Sequence, residues 1–132
     1  MIDHIGFPVT DMKRSTAFYK AALAPLGISV ITEVTPEMTG NEGHHAGFGA
    51  DKKAFFWIST GKVLHHSRMH VAFAAKDRAA VAAFYESALS AGGHDNGLPG
   101  LRPHYHKDYF GAFILDPDGH NVEAVCHKDM KA

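Results

Sequence analysis

The stretch Asp116-Pro-Asp-Gly-His-Asn-Val-Glu-Ala-Val125 decides how this chain is organised. It reads as a tight turn followed by a strand. Pro117 presets φ at the second turn position, Asp116 and Asp118 can bond nearby backbone, and Gly119 takes the dihedral that closes the turn. Beyond the turn, Val122, Ala124 and Cys126 alternate with Asn121, Glu123 and Val125. The first set suits a core. The second places a carboxylate, Glu123, on a half-buried face, where it needs a partner.

Working outward from that strand, the pattern gives the order β-α-β-β-β twice. Residues 2–10 read as a first strand, with Ile5 and Phe7 on the core side and His4 and Gly6 opposite. Thr10 or Asp11 caps a helix over 13–25, which Pro25 and Gly27 end. Strands follow at 28–34, 44–50 and 54–60, with a polar loop at 36–43 and a polar connection at 61–67. A strand at 69–75, a helix over 78–91 capped by Asp77, a short strand near His94 and a strand at 109–115 lead back to the opening stretch. Between them, 97–103 carries two glycines and two prolines and reads as a loop.

The two halves repeat. At an offset of 66, His4 falls on His70, Phe7 on Phe73, Asp11 on Asp77, and Ala17-Phe-Tyr19 on Ala83-Phe-Tyr85. Ala22, Leu23 and Gly27 fall on Ala88, Leu89 and Gly93, making nine identities in the 24 positions from 4 to 27 without a gap. Shared helix composition supplies alanines, but not His, Asp, Phe-Tyr and Gly in one register. The chain is therefore read as one domain of two duplicated modules, 1–66 and 67–132.

Composition bounds the function. At 45% hydrophobic and 20% charged residues the chain reads as globular, and a net charge of −1 gives no electrostatic case for nucleic acid or an anionic membrane. No apolar run approaches a membrane span, and the first residues show no signal-peptide pattern. A single cysteine, Cys126, on the core side of its strand, fits a reducing cytoplasm. Eleven histidines are the unusual count.

The motifs Asp3-His-Ile-Gly-Phe7 with Asp11 and Ser15…Ala17-Phe-Tyr19, their repeat around His70 and Phe84-Tyr85, and Leu115-Asp-Pro-Asp-Gly-His-Asn-Val-Glu123 resemble the vicinal oxygen chelate superfamily. Its members include glyoxalases, fosfomycin-resistance transferases, extradiol dioxygenases and bleomycin-binding proteins. The resemblance covers the whole chain. It implies an α+β fold in which two tandem βαβββ modules form an open, curved mixed sheet, a cup with helices on its convex side. It also implies a divalent metal at the base of the cup, a small-molecule substrate and a homodimer.

The family's ligand positions fall on His4, His70 and Glu123, and the fourth, 66 residues before Glu123, is Trp57. Two imidazoles and one carboxylate suit Fe, Mn, Zn, Co or Ni, and leave positions for a substrate that chelates through adjacent oxygens. The missing fourth ligand points away from four-ligand glyoxalase I and towards dioxygenase-like or transferase-like chemistry. Trp57, Arg102 and Asn121 are candidates to contact substrate, Arg102 through an anionic group and Trp57 by stacking. His106, Tyr105 and Tyr109 are candidates to move a proton. His44, His45, His65, His66, His94, His104 and His127 read as loop or strand-end histidines. The competing function is a sequestering cup of the bleomycin-resistance kind, without chemistry, and a weaker third is an interaction module.

Overall fold

The structure is a computed structural model that describes residues 1–40, 43–63 and 69–129. The expected module boundary at 66/67, together with His65 and His66, lies outside the described residues. The first module runs β1 (Ile5–Val9), α1 (Met12–Leu23), a 3₁₀ turn (Ala24–Leu26), β2 (Ser29–Val34), α2 (Pro36–Thr39), β3 (His45–Ala50) and β4 (Lys53–Thr60). The second runs β5 (His70–Ala74), α3 (Arg78–Ser90), β6 (His94–Leu101), β7 (Phe110–Leu115) and β8 (Asn121–Cys126). Each module makes a four-stranded sheet, ordered β1-β4-β3-β2 and β5-β8-β7-β6, with the β1–β4 and β5–β8 pairs parallel and the others antiparallel. These are two open βαβββ halves of the kind the sequence implied.

Local chemistry explains the boundaries. Asp11 and Asp77 cap the long helices, accepting from the amides of Arg14 and Ala80 at 3.0 and 2.8 Å. Gly27, at φ 76°, stops the first helical segment as a left-handed cap. Two expectations change. The loop expected over 36–43 contains a helical turn, α2, opened by Pro36 and closed by Gly40 at φ 66°. The loop expected over 97–103 is largely strand: β6 runs to Leu101 past Gly97 and Pro99, and its register with β7 slips twice. Irregularity at a sheet edge is where Gly and Pro are tolerated.

The duplication survives in the ladders. Trp57 stands between Gly6 and Gly47, and Glu123 between Ala72 and Phe113, each 66 residues on. On the opposite face of both sheets, Phe7, Phe48, Phe56, Ile58, Phe73, Ile114, Val122 and Ala124 join Phe18, Tyr19, Val81, Phe84 and Tyr85 of the helices in one core. Phe56 ties the modules together, its ring 5.3 Å from Phe7, 5.0 Å from Tyr19 and 5.2 Å from Phe73. Burying one such ring contributes about 1.5–3 kcal/mol.

The Asp116–His120 turn does more than start β8. Asp116 accepts the amides of Asp118 and His120 at 2.9 Å through one oxygen and the Tyr19 hydroxyl at 2.5 Å through the other. Asp118 reaches across to accept from the Thr10 amide, the Thr10 hydroxyl and Arg14. His120 donates from Nε2 to the Pro8 carbonyl at 3.1 Å and lies 4.1 Å from the Phe7 ring. The module-two turn thus grips the β1–α1 junction of module one.

Burial, and then the Asp116 carboxylate, hold the Tyr19 phenol well above its ordinary range. The folded protein keeps this proton at pH values where the unfolded chain releases it. Its contribution is therefore whole below about pH 10 and is lost as pH rises further. Tyr109 and Tyr85 shift the same way and add to the slope. Tyr19→Phe should cost about 1–3 kcal/mol near neutrality by leaving Asp116 short of a donor. It should also flatten the alkaline loss of stability, as measured by urea unfolding at stepped pH.

Candidate metal and substrate site

On the face of the second sheet away from the helices, β5 and β8 bring His70 and Glu123 together. Their side chains point the same way because they sit two strand positions apart in register: His70 opposite Asn121, Ala72 opposite Glu123. His70 Nε2 lies 3.2 Å from Glu123 Oε1. His70 Nδ1 lies 3.1 Å from the Asn121 carbonyl, which can only accept, so Nδ1 donates there and Nε2 faces the carboxylate. The other oxygen, Oε2, accepts the Tyr109 hydroxyl. Glu123 is 2% exposed, so the partner its burial demanded is in fact a pair.

The surroundings are aromatic and cationic. Phe113, paired with Glu123 across β7–β8, stacks near His70 with ring centroids 6.2 Å apart. Arg102 lies over Phe113 at 5.5 Å, and its guanidinium donates to the Leu98 carbonyl at 2.7 Å. Gly97 and Gly100 make room for it, since a Cβ there would come within 3.3 and 3.1 Å of the guanidinium nitrogens. The backbone of Arg102 closes the 102–109 loop by donating to the Tyr109 carbonyl at 2.7 Å. The Asn121 side chain accepts from Asn96 at 3.3 Å at the edge of this group. Burial, followed by the Glu123 hydrogen bond, raises the Tyr109 pKa above its ordinary value, so the phenol stays a donor.

The proton-moving candidates separate. Tyr109 bonds Glu123, whereas Tyr105 is exposed and packs on His104 and Tyr109, at 4.1 and 5.1 Å. His106 accepts the Asp108 amide at Nδ1 and lies 6.0 Å from His127. Its neutral form therefore carries the proton on Nε2.

His4 and Trp57 occupy the matching face of module one. His4 precedes β1, is exposed, and lies 2.7 Å from Asp3, which also binds Lys53 at 2.7 Å. Lys53 and then His4 lower the Asp3 pKa. His4, His45, Trp57, Gly6, Phe7, Pro8 and Ser59 line a hollow of about 400 Å³. The Trp57 indole lies against Gly47, where a Cβ would fall 2.9 Å from the ring. Among the described residues, no three of His, Cys, Asp and Glu are grouped so that they could hold a metal ion. The single chain pairs His70 with Glu123 and leaves His4 apart.

Residues that sequence reading passed over are Phe113, Asn96, Gly111 and His45. His45 sits at a strand end, as expected, being the first residue of β3, and it also lines the His4 hollow. The repeat carried the signal, because 47 and 113 are offset-related positions paired with Trp57 and Glu123, and 45 and 111 are offset-related positions two residues before them on the same strands.

The comparisons agree with this architecture. A glyoxalase/bleomycin resistance protein from Albidiferax ferrireducens T118 is 26% identical with a TM-score of 0.73, over 96% of this chain and 98% of that one. Glyoxalase I from Zea mays is 22% identical with a TM-score of 0.69, over 95% of this chain but 45% of that one. A mutant of the fosfomycin resistance protein FosX from Listeria monocytogenes, complexed with Mn(II) and 1S,2S-dihydroxypropylphosphonic acid, is 20% identical with a TM-score of 0.67, over 99% and 94%. No curated protein sequence matches the chain. The family model of the Glyoxalase/Bleomycin resistance protein/Dioxygenase superfamily matches residues 1–124, and the chain belongs to that superfamily, the vicinal oxygen chelate proteins.

Proposed function

We propose that this protein is a small-molecule metalloenzyme whose divalent ion is held by His70, Glu123 and His4. The observation that carries the reading is the His70–Glu123 pair. Nε2 of His70 and a buried carboxylate oxygen of Glu123 converge at 3.2 Å, and the imidazole is oriented through Nδ1 by a backbone carbonyl. Outer-sphere bonds of that kind orient histidine ligands in metal sites. Fe, Mn, Zn, Co and Ni all fit the donor set. Such an ion supplies Lewis-acid stabilisation to a substrate chelating through adjacent oxygens.

His4 comes from a second copy in this reading. It sits at the repeat-related position on module one, apart from the pair in its own chain. The unpaired edges of β1 and β5 flank a largely apolar cleft of about 580 Å³, lined in part by Ile2, Ile5, Phe55, Val71 and Phe73. A homodimer that sets module one of one copy against module two of the other would cover such a surface and complete the triad. Each chain then remains one domain of two modules, 1–66 and 67–132.

With Trp57 at the fourth ligand position, the reading favours dioxygenase-like or transferase-like chemistry over four-ligand glyoxalase I. Arg102, seated on Phe113, holds an anionic group of the substrate, Trp57 forms an aromatic wall, and Asn121 contributes to the polar rim. Proton movement falls to His106, with Tyr105 on the same loop, because the Tyr109 hydroxyl is engaged by Glu123. The lone buried cysteine fits a cytoplasmic location.

Protein purified without chelators or affinity metals should carry a stoichiometric divalent ion by elemental analysis. His4→Ala, His70→Ala and Glu123→Ala should each remove it. Fewer than about 0.2 metal per chain in the wild type, unchanged in His4→Ala, would leave the sequestering reading in its place. Mixing His4→Ala chains with His70→Ala chains should restore metal binding and run as a dimer in sedimentation. Mixed chains that stay metal-free, while the wild type binds, would put the whole triad within one chain.

A further inference from the structure

Glu123 has two carboxylate oxygens, and they face different partners. Oε1 faces His70 Nε2, and Oε2 accepts the hydroxyl of Tyr109. Tyr109 is held firmly for this contact. Its amide donates to the His106 carbonyl at 3.1 Å, and its carbonyl accepts from Arg102. Its ring is fixed edge-on between Tyr105 and His127, at 5.1 and 5.0 Å. Room for the contact comes from Gly111, on the same strand face. A Cβ there would lie 3.1 Å from Glu123 Oε2 and 3.2 Å from the Tyr109 ring.

A carboxylate can bind a cation through one oxygen or through both. With two oxygens it takes two coordination positions, and one fewer is left for a chelating substrate. We propose that Tyr109 is a positioning residue: its hydroxyl occupies Oε2 of Glu123, so that the carboxylate binds metal through Oε1 alone, beside Nε2 of His70. The position saved stays open to the second oxygen of the substrate. The inference rests on His70 and Glu123 being ligands. It gives Tyr109 a different task from moving a proton to or from substrate.

The test is titration of chelator-treated protein with Co(II), reading affinity and the visible d–d absorption of the bound ion. The wild type is compared with Tyr109→Phe, Gly111→Ala, His70→Ala and Glu123→Ala, each checked for fold by circular dichroism. Tyr109→Phe should weaken Co(II) binding by about 10-fold or more. It should also lower the band intensity, as the freed oxygen joins the metal and raises the coordination number. Gly111→Ala wedges the same contact from the other side and should shift the spectrum in the same direction. It also keeps the question answerable should Tyr109→Phe fail to fold. If His70→Ala and Glu123→Ala lose Co(II) while Tyr109→Phe and Gly111→Ala match the wild type in affinity and spectrum, the positioning role is overturned and the ligand reading stands. If the wild type takes up no Co(II), or His70→Ala binds it as tightly, the ligand reading fails and the role of Tyr109 with it.

Discussion

The buried carboxylate of Asp116 is the constraint on which the rest depends. At 2% exposure it must be fully bonded, and its partners come from both modules: two amides of its own turn and the Tyr19 hydroxyl of α1. Asp118 and His120 extend the grip to Thr10, Arg14 and Pro8. The turn therefore sets where β8 begins and, at the same time, where module one sits. Glu123, four residues beyond Gly119, inherits its direction from that starting point, because a one-residue slip would turn it into the core.

Duplication built two equivalent faces, and substitution made them unequal. At the position where module two has Phe113 opposite Glu123, module one has Gly47 opposite Trp57. The large and small partners are exchanged. The indole covers its glycine, while the carboxylate stands beside an aromatic ring and meets His70 and Tyr109. The turns diverge as well: Asp51 and Lys52 form a tight hairpin turn at positive φ, whereas Asp116–His120 reaches out to its neighbour. One module carries an exposed imidazole, and the other an exposed imidazole paired with a buried carboxylate.

Much of this was legible in the residue pattern. Alternation in β8 put Glu123 on the correct face, and the two capping aspartates marked both long helices. The family resemblance put His70 and Glu123 in one ligand set, and the structure pairs them at 3.2 Å. The short strand expected near His94 is β6, but its extension to Leu101 was not legible because Gly97 and Pro99 outweigh the pattern locally. Yet the offset of 66 from β2 already placed a strand over 95–100. The turn α2 was missed because four residues are too few to show helical periodicity.

The sequence by itself determined the strand and helix order, the internal symmetry and the faces on which His4, His70 and Glu123 lie, because period and repeat are properties of the chain alone. Only the tertiary structure decided that Tyr109 and not His106 meets Glu123, that Arg102 folds onto Phe113, and that His4 stands apart from the pair in its own chain. Those outcomes depend on side-chain reach across the loop at 102–109 and on how two modules settle against each other. Such packing choices are made by the spaces left at Gly97, Gly100 and Gly111, and no periodicity records them.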